Sequence, residues 1–107
     1  EVILVRAGDD GLVSLDDALV ALAERGVERL LVEGGARVLT SFFRARLVHR
    51  VEIEIAMRLL GAPATSVLGD VGVATLADTP ELTNVSVAQL GPNLLVRGDV
   101  VWPRAQA

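Results

Sequence analysis

Apolar residues fall along this chain in three rhythms, and each rhythm predicts a different element. Residues 2–5, Val-Ile-Leu-Val, form an unbroken apolar run of the kind found in a strand buried on both faces. The cluster Ala7-Gly8-Asp9-Asp10-Gly11 ends it as a turn. After Ser14 the spacing changes: Leu15, Ala18, Leu19, Leu22 and Ala23 make one helical stripe, with Asp16, Asp17, Glu24 and Arg25 opposite. Ser14 with Asp17 three residues on reads as a capping box, and Gly26 as the glycine that closes the helix. Residues 30–32 are a second apolar run, stopped by Glu33-Gly34-Gly35. Ala36, Val38, Leu39, Phe42, Phe43 and Leu47 then recur at helical spacing.

From residue 48 to 55 the rhythm becomes strict alternation. Val51, Ile53 and Ile55 share one face, and Arg50, Glu52 and Glu54 the other, as in a strand with one wetted side. Residues 59–79 mix Gly, Pro, Ala and Thr with little periodicity and read as a long loop. Two β-rich runs around Gly91-Pro92-Asn93 then predict an antiparallel hairpin. Strands separated by helices of this length pair in parallel through right-handed crossovers. The expected architecture is therefore α/β: a parallel strand-helix-strand-helix-strand sheet followed by a C-terminal antiparallel β-hairpin.

At 107 residues, 51% of them hydrophobic, the chain has material for one packed domain and not for two. Its mean hydropathy of +0.50 excludes a disordered chain. Ten basic against fourteen acidic residues give a net charge of −4, and only 3% of residues are aromatic, so nucleic acids and anionic membranes are poor partners. With no Cys and His49 as the sole histidine, thiol nucleophiles and cysteine-based metal sites are excluded, and no metal is expected. Apolar stretches are too short to span a membrane, and the start lacks a basic leader, which points to the cytoplasm. The chain opens on a strand residue without an initiator Met, as a piece of a longer protein does.

The most informative chemistry lies where residues 30–32 give way to Glu33-Gly34-Gly35 and the second helix. A strand that turns through two glycines into a helix leaves main-chain N–H groups and the positive end of the helix dipole free, and anionic ligands bind there. Glycine also lets a phosphate approach the backbone without a Cβ in the way. Thr40 and Ser41 lie about a turn further on. The alternative at this point is a tight turn with no ligand, since neither full glycine-rich nucleotide motif is present. Glu33 is either a hydrogen-bond partner for a ligand hydroxyl or amine, or a salt-bridged turn residue. His49 reads as a surface imidazole, Glu52 and Glu54 as outward-facing, Arg44 and Arg46 as cations placed for the helix dipole. Trp102 reads as an anchor in the core or at a subunit interface, and Met57 as packing.

The run from Leu30 through Glu33-Gly34-Gly35 to Arg46-Leu47-Val48, then Val51-Glu52-Ile53-Glu54-Ile55-Ala56 and Leu59-Leu60-Gly61, resembles the C-terminal reductase domain of the bifunctional riboflavin-biosynthesis deaminase/reductase. A weaker likeness extends from Leu12 to the hairpin, through Ala77-Asp78-Thr79-Pro80-Glu81-Leu82. The resemblance implies a dihydrofolate-reductase-like fold, here a partial sheet, with residues 1–107 as the C-terminal portion of the domain. It implies NADPH-dependent reduction of a phosphoribosylamino-pyrimidine to its ribitylamino product. Carried over residue by residue, Glu33 contacts the substrate, and Gly34, Gly35, Ala36, Arg37, Val38, Leu39, Thr40 and Ser41 lie against the cofactor. Which residues are catalytic the resemblance leaves unknown. Hydride transfer asks for orientation more than acid–base groups, so a site poor in His and Cys is no objection. The sequence departs from the family at Met57, where a proline is usual, and at His49-Arg50, where an acidic pair often stands. The competing readings are a non-catalytic oligomerisation or nucleotide-sensing module on the same fold, and an unrelated phosphate binder with a convergent turn. A sheet lacking its first strands exposes an edge, so a homodimer is expected.

Overall fold

The computed structural model describes residues 1–104. Its elements are α1 (Leu15–Ala23), α2 (Ala36–Arg44), β1 (Arg50–Ile55), a short 3-10 turn (Leu76–Asp78), β2 (Glu81–Leu90) and β3 (Asn93–Val101). The chain divides into two compact units, the first being Glu1–Gly34 and the second beginning at Gly35.

In the first unit α1 starts and stops where the sequence implies, but only half of the capping box forms: the Ser14 amide donates to Arg6 O, and the Asp17 carboxylate pairs with Arg6 instead. The Ser14 side chain accepts a hydrogen bond from the Asp17 amide at 3.3 Å and caps α1, whose first turn also carries Asp16 and Asp17 at the positive end of the dipole. At the other end Gly26, with φ +82°, donates to Ala23 O, while Val27 donates to Leu22 O at 3.1 Å. That pair of bonds is a Schellman closure, and it needs the left-handed conformation glycine adopts without strain. Arg6 lies across α1, with Nε 2.7 Å from Asp17 Oδ2. This contact holds the Asp17 carboxyl below its ordinary pKa, first through the hydrogen bond.

The parallel core expected of the first strands is not formed among the described residues. Residues 2–5 and 30–32 carry no strand ladder, and their main-chain groups make no backbone hydrogen bond. Leu4 is 92% exposed and Leu31 75%. Runs of four and three residues offer too few ladder bonds to hold a sheet alone; they need neighbouring strands along their edges. An isolated antiparallel bridge, Ala7 to Val13, closes the turn cluster between residues 2–5 and α1.

The second unit carries the sheet, in order β1-β3-β2, with both pairs antiparallel. The turn at Gly91-Pro92 joins β2 to β3, and Gly91 has φ +58°, the sign that two-residue hairpin turns require at their first central position. Register places Val51, Ile53 and Ile55 opposite Gly98, Val96 and Leu94, so one face is apolar. The other is polar and laced together: Arg50 to Asp99 at 3.1 Å, Arg97 to Glu52 at 2.9 Å, and Asn93 donating to Glu54 at 2.8 Å. The alternation read from the sequence of β1 thus becomes a sheet with one wetted side. β2 is bulged between Thr83 and Ser86, where Asn84 takes φ +50° and donates to Asp99 Oδ2 at 3.0 Å. Gly98, on the central strand, is the buried residue of the sheet, and a Cβ there would stand 3.0 Å from Leu82 Cβ.

Helix α2 is shorter than the apolar spacing to Leu47 implies, because Arg46 leaves the helix at φ +56°. Its amide donates to Phe43 O and that of Leu47 to Phe42 O, the same closure as α1 but without a glycine. The Arg46 guanidinium stacks over the Trp102 ring, 4.6 Å from its centroid, tying the helix end to the chain after β3. No helix among the described residues is long and apolar enough to cross a membrane.

Candidate functional site

The turn into α2 is built by two consecutive glycines with positive φ, +69° at Gly34 and +78° at Gly35. With ψ 115°, Gly35 lies in a region that a side chain disfavours, so the backbone itself demands glycine. A Cβ at either position would meet nothing within 4 Å, so the space above the turn is open. Both sequence readings, a turn requirement and access for a ligand, are compatible with this geometry.

What distinguishes α2 is how its first turn is left. Gly35 caps it without a side chain, and the first helical bond is Leu39 N to Gly35 O at 3.2 Å. The amides of Ala36, Arg37 and Val38 therefore have no acceptor among the described residues. No acidic residue stands in the first turn; instead Arg37 brings a positive charge to the positive end of the dipole. In α1 a serine accepts from one of the corresponding amides, and two aspartates stand in the first turn at the positive end of the dipole. Free donors plus an arginine form an arrangement that an anion stabilises and that nothing else in the turn compensates.

The remaining residues singled out in the sequence are distributed as follows. Glu33 and Gly34 are exposed and end the first unit; Gly35 begins the second. Val38 is 48% exposed and Leu39 half-buried. The Thr40 hydroxyl donates to Ala36 O and accepts from the Gly69 amide at 2.8 Å, while Ser41 Oγ donates to Arg37 O at 2.9 Å. His49 is exposed, and its carbonyl accepts from Val100 N. Glu52 and Glu54 are engaged on the polar sheet face, and Arg44 binds Asp70. Trp102 is half-buried under Arg46, with its Nε1 buried and unbonded among the described residues. No cluster of His, Asp or Glu among the described residues is arranged to hold a metal ion.

Two features escaped the reading of the sequence. One is the contact of residues 69–72 with α2, in a stretch that offered no periodicity; the spacing Gly69-Asp70-Val71-Gly72 is its only signal. The other is an open groove of about 410 Å³ in the first unit, between residues 4–6 and Asp17, Val20 and Ala21 of α1 with Glu24 just past its end. None of the predicted site residues lines it.

The architecture and this turn define a small α/β protein whose second helix starts on uncapped amides. Sequence comparison narrows the class: the family described as RibD C-terminal domain matches residues 1–96, and the chain belongs to that family. Among similar proteins, the riboflavin biosynthesis protein RibD of Mycobacterium tuberculosis is 36% identical over 80 residues, covering 75% of this chain and 23% of the relative. RibD of Aquifex aeolicus is 30% identical over 83 residues, 78% of this chain and 23% of the relative. The chloroplastic riboflavin biosynthesis protein PYRR of Arabidopsis thaliana is 31% identical over 75 residues, 69% of this chain and 12% of the relative. The chain thus spans about a quarter of the length of the RibD relatives it matches.

Proposed function

We propose that this chain is the nucleotide-binding portion of a cytoplasmic reductase of riboflavin biosynthesis, which takes hydride from NADPH to convert a phosphoribosylamino-pyrimidine into its ribitylamino product. The observation that carries the reading is the start of α2: three unpartnered amides, no acid, and Arg37 behind two open glycines. In it the amides of residues 36–38 and the Arg37 guanidinium hold the dinucleotide's phosphates. Glu33, exposed just before the glycines, accepts a hydrogen bond from a hydroxyl or amine of the substrate. The bound cofactor supplies the hydride; the chain supplies orientation and charge.

The same reading accounts for the bare runs 2–5 and 30–32. In a complete dihydrofolate-reductase-like sheet they are parallel strands with partners on both edges. It also includes a homodimer. β2 is a ten-residue edge strand, exposed throughout, with Glu81 as its one charge and neither lysine nor proline to block pairing.

The test is a titration of the full chain with NADPH and with inorganic pyrophosphate as competitor, followed by absorbance loss of NADPH on adding the pyrimidine substrate. Saturable NADPH binding that pyrophosphate displaces supports the phosphate site, and substrate-dependent oxidation supports the reaction. Absence of NADPH binding at millimolar concentration removes the reading. Binding without oxidation favours the nucleotide-sensing module instead. Sedimentation showing a monomer at high micromolar concentration removes the dimer.

A further inference from the structure

We propose that Thr40 is a positioning residue for the dinucleotide site, which with Arg44 staples residues 69–72 along α2 and so holds the helix start in place. The inference rests on the NADPH reading above and changes the role that the family resemblance implies for Thr40, which is direct contact with the cofactor.

The one donor of the Thr40 hydroxyl is already used. Its proton goes to Ala36 O, and its oxygen accepts the Gly69 amide at 2.8 Å. A phosphate oxygen needs a donor, and a threonine hydroxyl has one proton, so Thr40 has none to give while both bonds stand. One turn along the same face, Arg44 Nη1 donates to Asp70 O at 2.9 Å and lies 3.7 Å from Asp70 Oδ1. That carboxylate in turn accepts the Gly72 amide at 2.8 Å. Gly72, at φ +81°, sits so that a Cβ would come within 3.8 Å of the Arg44 guanidinium. Two side chains four residues apart thereby satisfy main-chain groups at Gly69 and Asp70.

The strap matters because α2 is only nine residues long. A helix of that length does not persist in water by propensity; it needs contacts that fix it. The bond between Thr40 and Ala36 O joins the strap to the first residue of the helix, next to the free amides. Ser41 also donates its one proton, to Arg37 O, but it is exposed and accepts no bond from residues 69–72, so turning toward a ligand breaks one bond where Thr40 would break two.

The experiment compares Thr40→Val, Thr40→Ser and Arg44→Met in the full chain, measuring hydrogen exchange at the Gly69 amide and the dissociation constant for NADPH. Thr40→Val keeps the shape but loses both bonds: exchange at Gly69 accelerates about tenfold and NADPH binding weakens about three- to tenfold. Thr40→Ser restores both, and Arg44→Met gives a smaller loss in the same direction. Unchanged Gly69 exchange in Thr40→Val overturns the staple. Faster exchange with unaltered NADPH affinity overturns the positioning role. Weaker NADPH binding with Gly69 protection intact assigns Thr40 to the ligand directly and also overturns the proposal. If the unsubstituted chain binds no NADPH, the functional reading fails with the positioning role, while the exchange data still decide the staple.

Discussion

Arg37→Glu separates a ligand-binding helix start from a structural one, because the two give opposite signs. Arg37 sits in the first turn of α2, where no acidic residue offsets the dipole. For the helix alone, glutamate there is the better residue: a carboxylate near the N-terminus stabilises by about 0.3–1 kcal/mol, and the arginine it replaces is unfavourable. For an anion bound to the amides of residues 36–38 the change is harmful. Reversing one charge at roughly 6 Å from a single negative charge costs about 1.4 kcal/mol in water's dielectric, and physiological salt screens about half of that. A pyrophosphate with two charges doubles the figure, so NADPH affinity falls about three- to tenfold at physiological salt and further at low salt. The assay pairs urea unfolding with NADPH titration at two ionic strengths. The expected result is a chain that is as stable or more stable yet binds more weakly, with the gap widening as salt is removed. Equal affinity in both proteins at low salt would falsify the phosphate assignment, and a joint loss of stability and binding would show that Arg37 serves the fold.

Three further outcomes follow from the second unit. Gly98→Ala places a Cβ 3.0 Å from Leu82 Cβ and 3.4 Å from Val85 Cγ2, and overpacking of this kind destabilises by about 1–3 kcal/mol in urea unfolding; Leu82→Gly in the same chain, which takes that Cβ away, should make the double variant less destabilised than the sum of the two single ones, and an additive pair would remove the steric explanation. Asp99 is held below its ordinary pKa first by the Asn84 amide and then by Arg50, so its contribution is complete above the unfolded value and is lost as pH falls through the folded one. An acid titration of stability from about pH 4 downward should therefore be flatter in Asp99→Asn than in the unsubstituted chain, and identical slopes would count against the pairing. Arg46 combines a left-handed backbone with a stack on Trp102. Arg46→Ala keeps the strain and loses the stack, whereas Arg46→Gly loses both, so glycine should be about 1 kcal/mol the more stable in thermal or urea unfolding; equal stabilities would mean that φ at this position is not strained.

Helix ends were legible because their signals are local. Ser14, Gly26 and the Gly34-Gly35 pair each fix a conformation within three or four residues, and the structure places each where that chemistry puts it. The alternation in β1 was legible for the same reason: a period of two assigns faces without knowledge of the partner, and the ion pairs of Arg50 and Glu52 fall on the wetted side. The end of α2 was misjudged because Leu47 continues the apolar stripe, while a non-glycine residue, Arg46, breaks the helix with support from Trp102, 56 residues away. The strap on α2 was illegible on similar grounds, since Thr40 and Gly69 are 29 positions apart and neither residue type announces the other.

The first strands show a different limit. An apolar run states that both faces of a strand should be covered, but it carries no information on which chain covers them. Leu4 and Leu31 remain exposed, and the main chain of residues 2–5 and 30–32 makes no backbone hydrogen bond among the described residues. Main-chain amides and carbonyls left without partners at apolar positions are costly to bury and prone to pair with whatever edge is offered. On the function proposed above, the sequence pattern and the bare main chain have one cause: these residues are strands of a sheet wider than this chain supplies. If so, adding the length that RibD relatives have beyond this match, on the same polypeptide, should protect the amides of residues 2–5 and 30–32 from hydrogen exchange while leaving β3, already central between β1 and β2, unchanged. Amides that exchange at the same rate in both lengths would show that these runs are not strands in the complete protein.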